Sequence, residues 1–227
     1  MNFLCTILGV RRQGKSTLAL AVACARSKSI IVFDPNRQYT SLPWSGVDPE
    51  VIENALSEDE FLLVVRPDAA TLVEDWHILA ETLWSWHDYA LVIDEASELQ
   101  TAGWRDEWLD RYIRQAPDDV SLIMTTHRAV DLAKLSRALS SDLFVFRTRQ
   151  ESDLKVLESE FPEIRTDVIR DLPMYHVLHY WVDYGGIGRN NLWDKPREWY
   201  IDITGKRERE GENCRAFIDQ RELAIAG

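Results

Sequence analysis

Gly9-Val10-Arg11-Arg12-Gln13-Gly14-Lys15-Ser16 has the residue types and spacing of a loop that grips phosphate. Its two glycines let the backbone turn tightly and aim successive N–H groups at anionic oxygens. A helix opening at its end points its positive dipole at the same anion. Lys15 has the reach for the β- and γ-phosphates of a nucleotide, and Ser16 offers a hydroxyl to Mg²⁺. An apolar stretch over 3–8 precedes the run, and an Ala- and Leu-rich stretch follows it through Thr17. That is the strand, loop, helix order of a nucleotide-binding P-loop. The expected ligands are ATP and Mg²⁺, with GTP an alternative to ATP.

A second cluster of chemistry closes the run Leu91-Val92-Ile93-Asp94-Glu95. A buried parallel strand delivers its last residues to the edge of the sheet where the phosphate loop sits. Asp94 is the candidate for the Mg²⁺ shell, and Glu95 for the carboxylate that orients a water against the γ-phosphate. The next apolar run ends in Thr125-Thr126-His127-Arg128. Thr126 or His127 is placed there to sense the phosphate or the attacking water, and Arg128 to lead into a moving loop. A lone histidine serves equally well as a structural residue. Phosphoryl transfer also builds negative charge that an arginine from a neighbouring subunit can stabilise. Arg111 and Arg114 are the candidates, with Trp108, Leu109, Tyr112 and Ile113 as apolar anchors of the same segment. A solvated helix face, with ion pairs to Asp106, Glu107 or Asp110, is the competing reading for both.

These residues need elements to position them. The pattern predicts helices over 16–26, 104–115, 130–140 and 152–160, and a helix entered at Thr71 through the reciprocal capping pattern Thr71-Leu72-Val73-Glu74. Leu72, Trp76, Leu79, Leu83 and Trp86 form an apolar stripe on that helix, read as core packing. Trp84, His77 and His87 fall off the stripe and suit either a subunit interface or a second buried face. Strands are predicted over 29–33, 61–65, 89–93, 120–124, 143–146 and 175–182. Strands alternating with helices mean an α/β fold, a mainly parallel sheet with helices on both faces. The glycines and asparagines of 183–197 predict a mobile loop, and residues 205–215 are highly charged. The division expected is one domain over 1–204, with its core at about 3–160 and an extension over 161–204, then a charged tail over 205–227.

The 227 residues, 45% hydrophobic, suffice for a substantial core. No stretch nears the roughly 18 apolar residues that span a bilayer, and the start lacks a signal-peptide pattern. The expectation is a soluble cytosolic protein without direct membrane insertion. Three scattered cysteines, Cys5, Cys24 and Cys214, form neither a disulfide framework nor a zinc site. A net charge of −12 argues against a broad nucleic-acid surface, so any DNA contact must be local, as in the basic loops of a ring's channel.

Taken together, the run 9–17, the strand ending Val32-Phe33-Asp34-Pro35-Asn36, the Asp94-Glu95 strand, and 125–128 followed by 130–139 and Leu143-Phe144-Val145-Phe146 resemble the FtsK/HerA superfamily of DNA-pumping ATPases. The closest likeness is to the genome-packaging ATPases of tailless, internal-membrane icosahedral viruses. The resemblance covers about residues 3–160. It implies a RecA-like P-loop NTPase core and a hexameric ring in which Arg114, or else Arg111, completes a neighbour's site. The chain departs from the pattern with His127 where many members carry Gln, and with Ala129 where a Pro follows the Arg. The resemblance further implies hydrolysis that drives double-stranded DNA into a preformed capsid. Its partners would be a capsid vertex and membrane proteins, and its location the virion and the host cytoplasm. Arg189, Lys195 and Arg197 are the candidate DNA contacts. A DNA-export or assembly motor of the same superfamily is the second reading, and a small-molecule kinase or nucleotide switch the third.

Overall fold

In a computed structural model the described residues are 3–101, 103–162, 164–181 and 197–202. Their strands are β1 (Phe3–Leu8), β2 (Ser29–Phe33), β3 (Trp44–Ser45), β4 (Phe61–Val65), β5 (Ala90–Ile93), β6 (Ser121–Thr126), β7 (Asp142–Phe146), β8 (His176–Trp181) and β9 (Arg197–Asp202). They join one sheet in the order β3-β4-β2-β5-β6-β1-β7-β8-β9. Every pair from β3 to β7 is parallel, and β8 and β9 add antiparallel to that edge. The helices are α1 (Lys15–Arg26), α2 (Pro49–Leu56), α3 (Leu72–Trp84), α4 (Glu107–Gln115), α5 (Lys134–Ala138), α6 (Glu151–Glu160) and α7 (Thr166–Asp171). None is long and apolar enough to cross a membrane among the described residues.

The near-continuous apolar strands are what a sheet buried on both faces requires. Cys5, Ile7, Ile30 and Val32 point to one face and pack with Leu18, Ala19, Ala23 and Cys24 of α1. Leu4, Leu8, Ile31 and Phe33 point to the other, where α2, α3, α4, α6 and α7 supply Ile52, Trp76, Leu109, Leu154 and Ile169. The stripe on α3 lies in this second core, as expected. Trp84 packs there too, edge-on to Trp108 and Tyr112, which fits the second buried face foreseen for it.

Several boundaries differ from the pattern. Thr71 is the N-cap of α3, but its hydroxyl makes no capping bond. The reciprocal box does not form, and the Thr71 N–H that it would use donates instead to the Asp68 carbonyl at 3.2 Å. The helix expected over 104–115 starts at Glu107, since Gln100 and Arg105 bridge as a short antiparallel pair and Asp106 then caps the Trp108 and Leu109 N–H groups. The helix expected over 130–140 is split into a 3-10 turn, Ala129–Asp131, and α5. The Arg137 guanidinium draws the carbonyls of Ala129 and Leu132 to itself, out of any continuous helical ladder. Arg197 opens the edge strand β9 opposite Trp181, so it is not part of a loop. Arg189, Lys195, Cys214 and the tail 205–227 lie outside the described residues.

Candidate active site

The strand ends bring the chemistry together. β6 pairs with β1 on one side and β5 on the other, in parallel register, so the phosphate loop, the acidic pair and the Thr-Thr-His run leave the sheet at one edge. The acidic strand is therefore one strand removed from the phosphate loop, with β6 between them.

The loop itself is closely fitted. The Gly9 N–H donates to the Thr126 carbonyl at 3.2 Å. A side chain at Gly9 would put its Cβ 2.6 Å from the Cβ of Phe146, so the site tolerates only hydrogen there. Gly14 is left-handed, φ 96°, at the N-cap of α1, and Arg12 is left-handed at φ 64°. Gln13 and Lys15 are buried, while Val10, Arg11, Arg12 and Thr17 are exposed.

Lys15 Nζ lies 2.8 Å from His127 Nδ1 and 3.4 Å from the Val10 carbonyl oxygen. Burial holds the Lys15 pKa below its usual value, partly offset by Glu95 and Asp94. An ammonium only donates, so Nδ1 accepts and the ring proton sits on Nε2. From there it faces Glu95 Oε2 at 3.2 Å. Burial and the Lys15 charge both lower the His127 pKa, which keeps the ring neutral at neutral pH.

Ser16 Oγ donates to Asp94 Oδ1 at 3.3 Å. The Thr125 hydroxyl donates to the same oxygen at 2.9 Å and accepts the Glu95 N–H at 3.0 Å. Burial, with Asp34 and Glu95 nearby, raises the Asp94 pKa to about 6, and the Thr125 bond pulls the other way. A buried carboxylate beside a hydroxyl is a pair of hard oxygen donors that fits Mg²⁺. Among the described residues no cluster of three or more His, Cys, Asp or Glu could cage a metal. Mg²⁺ keeps most of its shell for water and phosphate, so one carboxylate and one hydroxyl meet its needs. The ion would neutralise charge on the β- and γ-oxygens.

Glu95 is the strained member. Its backbone is left-handed, φ 55° and ψ 62°, which costs about 1–2 kcal/mol for a residue with a Cβ. That turn directs the carboxylate back across the end of β6. There Oε1 accepts from the Thr126 hydroxyl at 3.1 Å, the His127 N–H at 3.0 Å and the Ser97 hydroxyl at 2.5 Å. Strain of this kind persists where the surroundings over-determine it, and it marks functional sites.

The sheet does not bring Arg111 or Arg114 to this cluster. α4 runs back from the loop edge, so its last turn, with Arg114, heads for the opposite edge. Arg114 Nε pairs with Asp110 at 2.8 Å, and Arg111 lies over the rings of Trp84 and Trp108 at 4.1 and 4.9 Å. Within one chain Arg114 makes the ion pair of the competing reading, while Arg111 bridges a ring of α3 and a ring of α4. Arg128 leaves the strand end to meet Asp153 at 3.5 Å and Ser152 at 2.8 Å.

Sequence reasoning missed the group behind the acidic pair. Asp34, fully buried, accepts the Gln38 and Tyr39 N–H groups at 2.7 and 3.1 Å and pairs with Arg66 at 3.4 Å. The Tyr39 hydroxyl then donates to the Ser16 carbonyl at 3.3 Å, bracing the start of α1. The Asp-Pro ending of β2 was the available signal.

Neither a protein-family model nor a curated protein matches the sequence. Solved structures do match. The genome packaging NTPase B204 from Sulfolobus turreted icosahedral virus 2, in complex with sulfate, superposes with TM-score 0.67 at 19% identity, covering 87% of this chain and 95% of that one. Its complex with ATP-gammaS gives TM-score 0.65 at 22% identity, covering 80% and 93%. The pCW3 conjugation coupling protein TcpA, solved with ATPgS, gives 0.51 at 13% identity over 78% of this chain and 57% of that one. At such identities the likeness is one of fold, and it meets the expectation drawn from the motifs: this chain has the α/β fold of a P-loop NTPase and is structurally similar to a viral genome packaging NTPase.

Proposed function

We propose that the protein is an ATP-hydrolysing double-stranded DNA translocase that packages a viral genome into a preformed capsid. The observation that carries the hydrolytic half is the convergence of Lys15, Ser16, Asp94, Glu95 and His127 at one sheet edge. A kinase for a small metabolite needs no carboxylate aimed at water; Glu95, held by four donors, is such a carboxylate. In the reaction, the water oxygen bonds to the γ-phosphorus as the bridging P–O bond breaks. The bond's electron pair leaves with ADP, and the water proton passes toward Glu95. Lys15 balances phosphate charge, Ser16 and Asp94 would hold Mg²⁺, and Thr126 and His127 fix Glu95. His127 touches both Lys15 and Glu95, so a change at either is felt at the other, which supports the sensor role.

The packaging half is supported by the fold shared with a genome packaging NTPase. In this reading the chain works as a hexameric ring at a capsid vertex, with membrane proteins as docking partners, in the virion and the host cytoplasm. Arg114 acts from a neighbouring subunit. Glu95→Gln tests the hydrolytic half: it keeps ATP affinity within about threefold and lowers turnover by about 10²-fold or more. Turnover unchanged in a stopped assay of phosphate release removes Glu95 from the mechanism.

A further inference from the structure

His127 Nε2 has a second neighbour besides Glu95. Arg11 Nε stands 3.4 Å from it. With Lys15 donating to Nδ1, Nε2 carries the ring proton, so the Arg11 contact sets one N–H against another and satisfies neither. Arg11 is exposed, and among the described residues no carboxylate pairs with it. Several other arginines are held by carboxylates. Arg66 is held by Asp34, Arg105 and Arg114 by Asp110, Arg128 by Asp153, and Arg137 by Glu160. Arg11 thus keeps its planar fork of donors free, on the phosphate loop itself, at the ring nitrogen that also faces the Glu95 carboxylate. A guanidinium matches phosphate oxygens two at a time, and its charge persists at any working pH.

We propose that Arg11 is a catalytic arginine supplied by the same chain, whose guanidinium stabilises the charge that builds on the γ-phosphoryl oxygens during hydrolysis. This rests on the hydrolytic reading of the site above. It gives each subunit a cation on the side of the γ-phosphate that Glu95 addresses, alongside Lys15. A neighbour's arginine then adds to a site already active on its own. The position of the charge also follows from the sequence: Arg11 lies four residues before Lys15, across the turn of the loop, so the two cations approach the same imidazole from different nitrogens.

The test uses the full chain with Arg11→Ala and Arg11→Lys, and Arg37→Ala as an exposed control on the loop after β2. Three quantities are measured: affinity for a fluorescent ATP analogue, single-turnover hydrolysis from dilute to assembled protein, and trapping of ADP by aluminium fluoride. The expected result for Arg11→Ala is ATP affinity within about threefold, hydrolysis slower by about 10²-fold or more at every protein concentration, and loss of trapping. Arg11→Lys recovers part of the rate, and Arg37→Ala matches the parent. Hydrolysis by Arg11→Ala within threefold of the parent overturns the proposal. So does a deficit confined to ATP affinity, which makes Arg11 a binding group only, or one confined to assembled protein, which places its action across subunits. A parent that binds no ATP fails earlier, before any variant is compared, and takes the hydrolytic reading down as well.

Discussion

Gly9 shows how little freedom the phosphate-binding edge has. The Phe146 Cβ that blocks a side chain there is fixed to the backbone of β7 and cannot swing aside. Gly9→Ala must shift the loop or the strand, at a cost of about 1–3 kcal/mol. A lower urea midpoint together with weaker ATP binding is the expected outcome; an unchanged midpoint would mean the loop relaxes freely. The residues legible in the sequence are those whose role follows from local order: Gly14, Lys15 and Ser16 at the start of a helix, Asp94 and Glu95 at the end of a strand. Thr125, Ser97 and Asp34 were not read as site residues. Their partners lie 31, 2 and 32 positions away, and the contacts arise where separate strand ends or a left-handed turn meet. Arg114, expected to act on a neighbouring subunit, pairs within its own chain with Asp110, and a role across subunits is one that a single chain does not display.

At the scale of elements, Asp106 fastens α4 to α3. One carboxylate caps Trp108 and Leu109 and accepts the buried Trp76 indole N–H at 2.7 Å and His77 Nε2 at 2.5 Å. Asp106→Ala removes the cap and leaves a buried donor unpaired, together worth about 2–4 kcal/mol. Asp106→Asn retains an acceptor and loses less, and urea unfolding of the two variants separates the effects. The seam between β7 and β8 carries a pH dependence. His179 stacks on Phe144 at 3.9 Å and bonds Asp142 at 2.7 Å, and burial lowers its pKa below the usual histidine value. The unfolded chain then binds the proton more readily. This contribution to stability is full above about pH 6.5 and is lost as the pH falls below it. Denaturation midpoints at pH 7.5 and 5.5 should therefore drop less in His179→Gln than in the parent; an equal drop removes His179 as a cause. The strands of the parallel core were legible because their apolar runs are continuous. α2 was passed over although Asp48 caps it, Pro49 opens it, and Ile52 and Leu56 share its buried face. The short edge strand β3 has only two residues, too few for any period to register.

A net charge of −12 cannot hold DNA over a broad face, so the DNA contact of the proposed translocase must be local. The fold class was legible from the strand and helix alternation, but the antiparallel pair β8 and β9 was not, since pairing direction depends on how the chain returns to the sheet. Assembly is a property of surfaces that pattern does not encode, which is why the ring stands as a proposal. The deciding measurement is the steady-state ATPase rate of the purified chain with and without double-stranded DNA, at about 50 and 200 mM salt, the range over which phosphate contacts weaken most clearly. Stimulation by DNA at low salt that fades at the higher salt is the predicted result. Hydrolysis indifferent to DNA at both salts would contradict a DNA translocase.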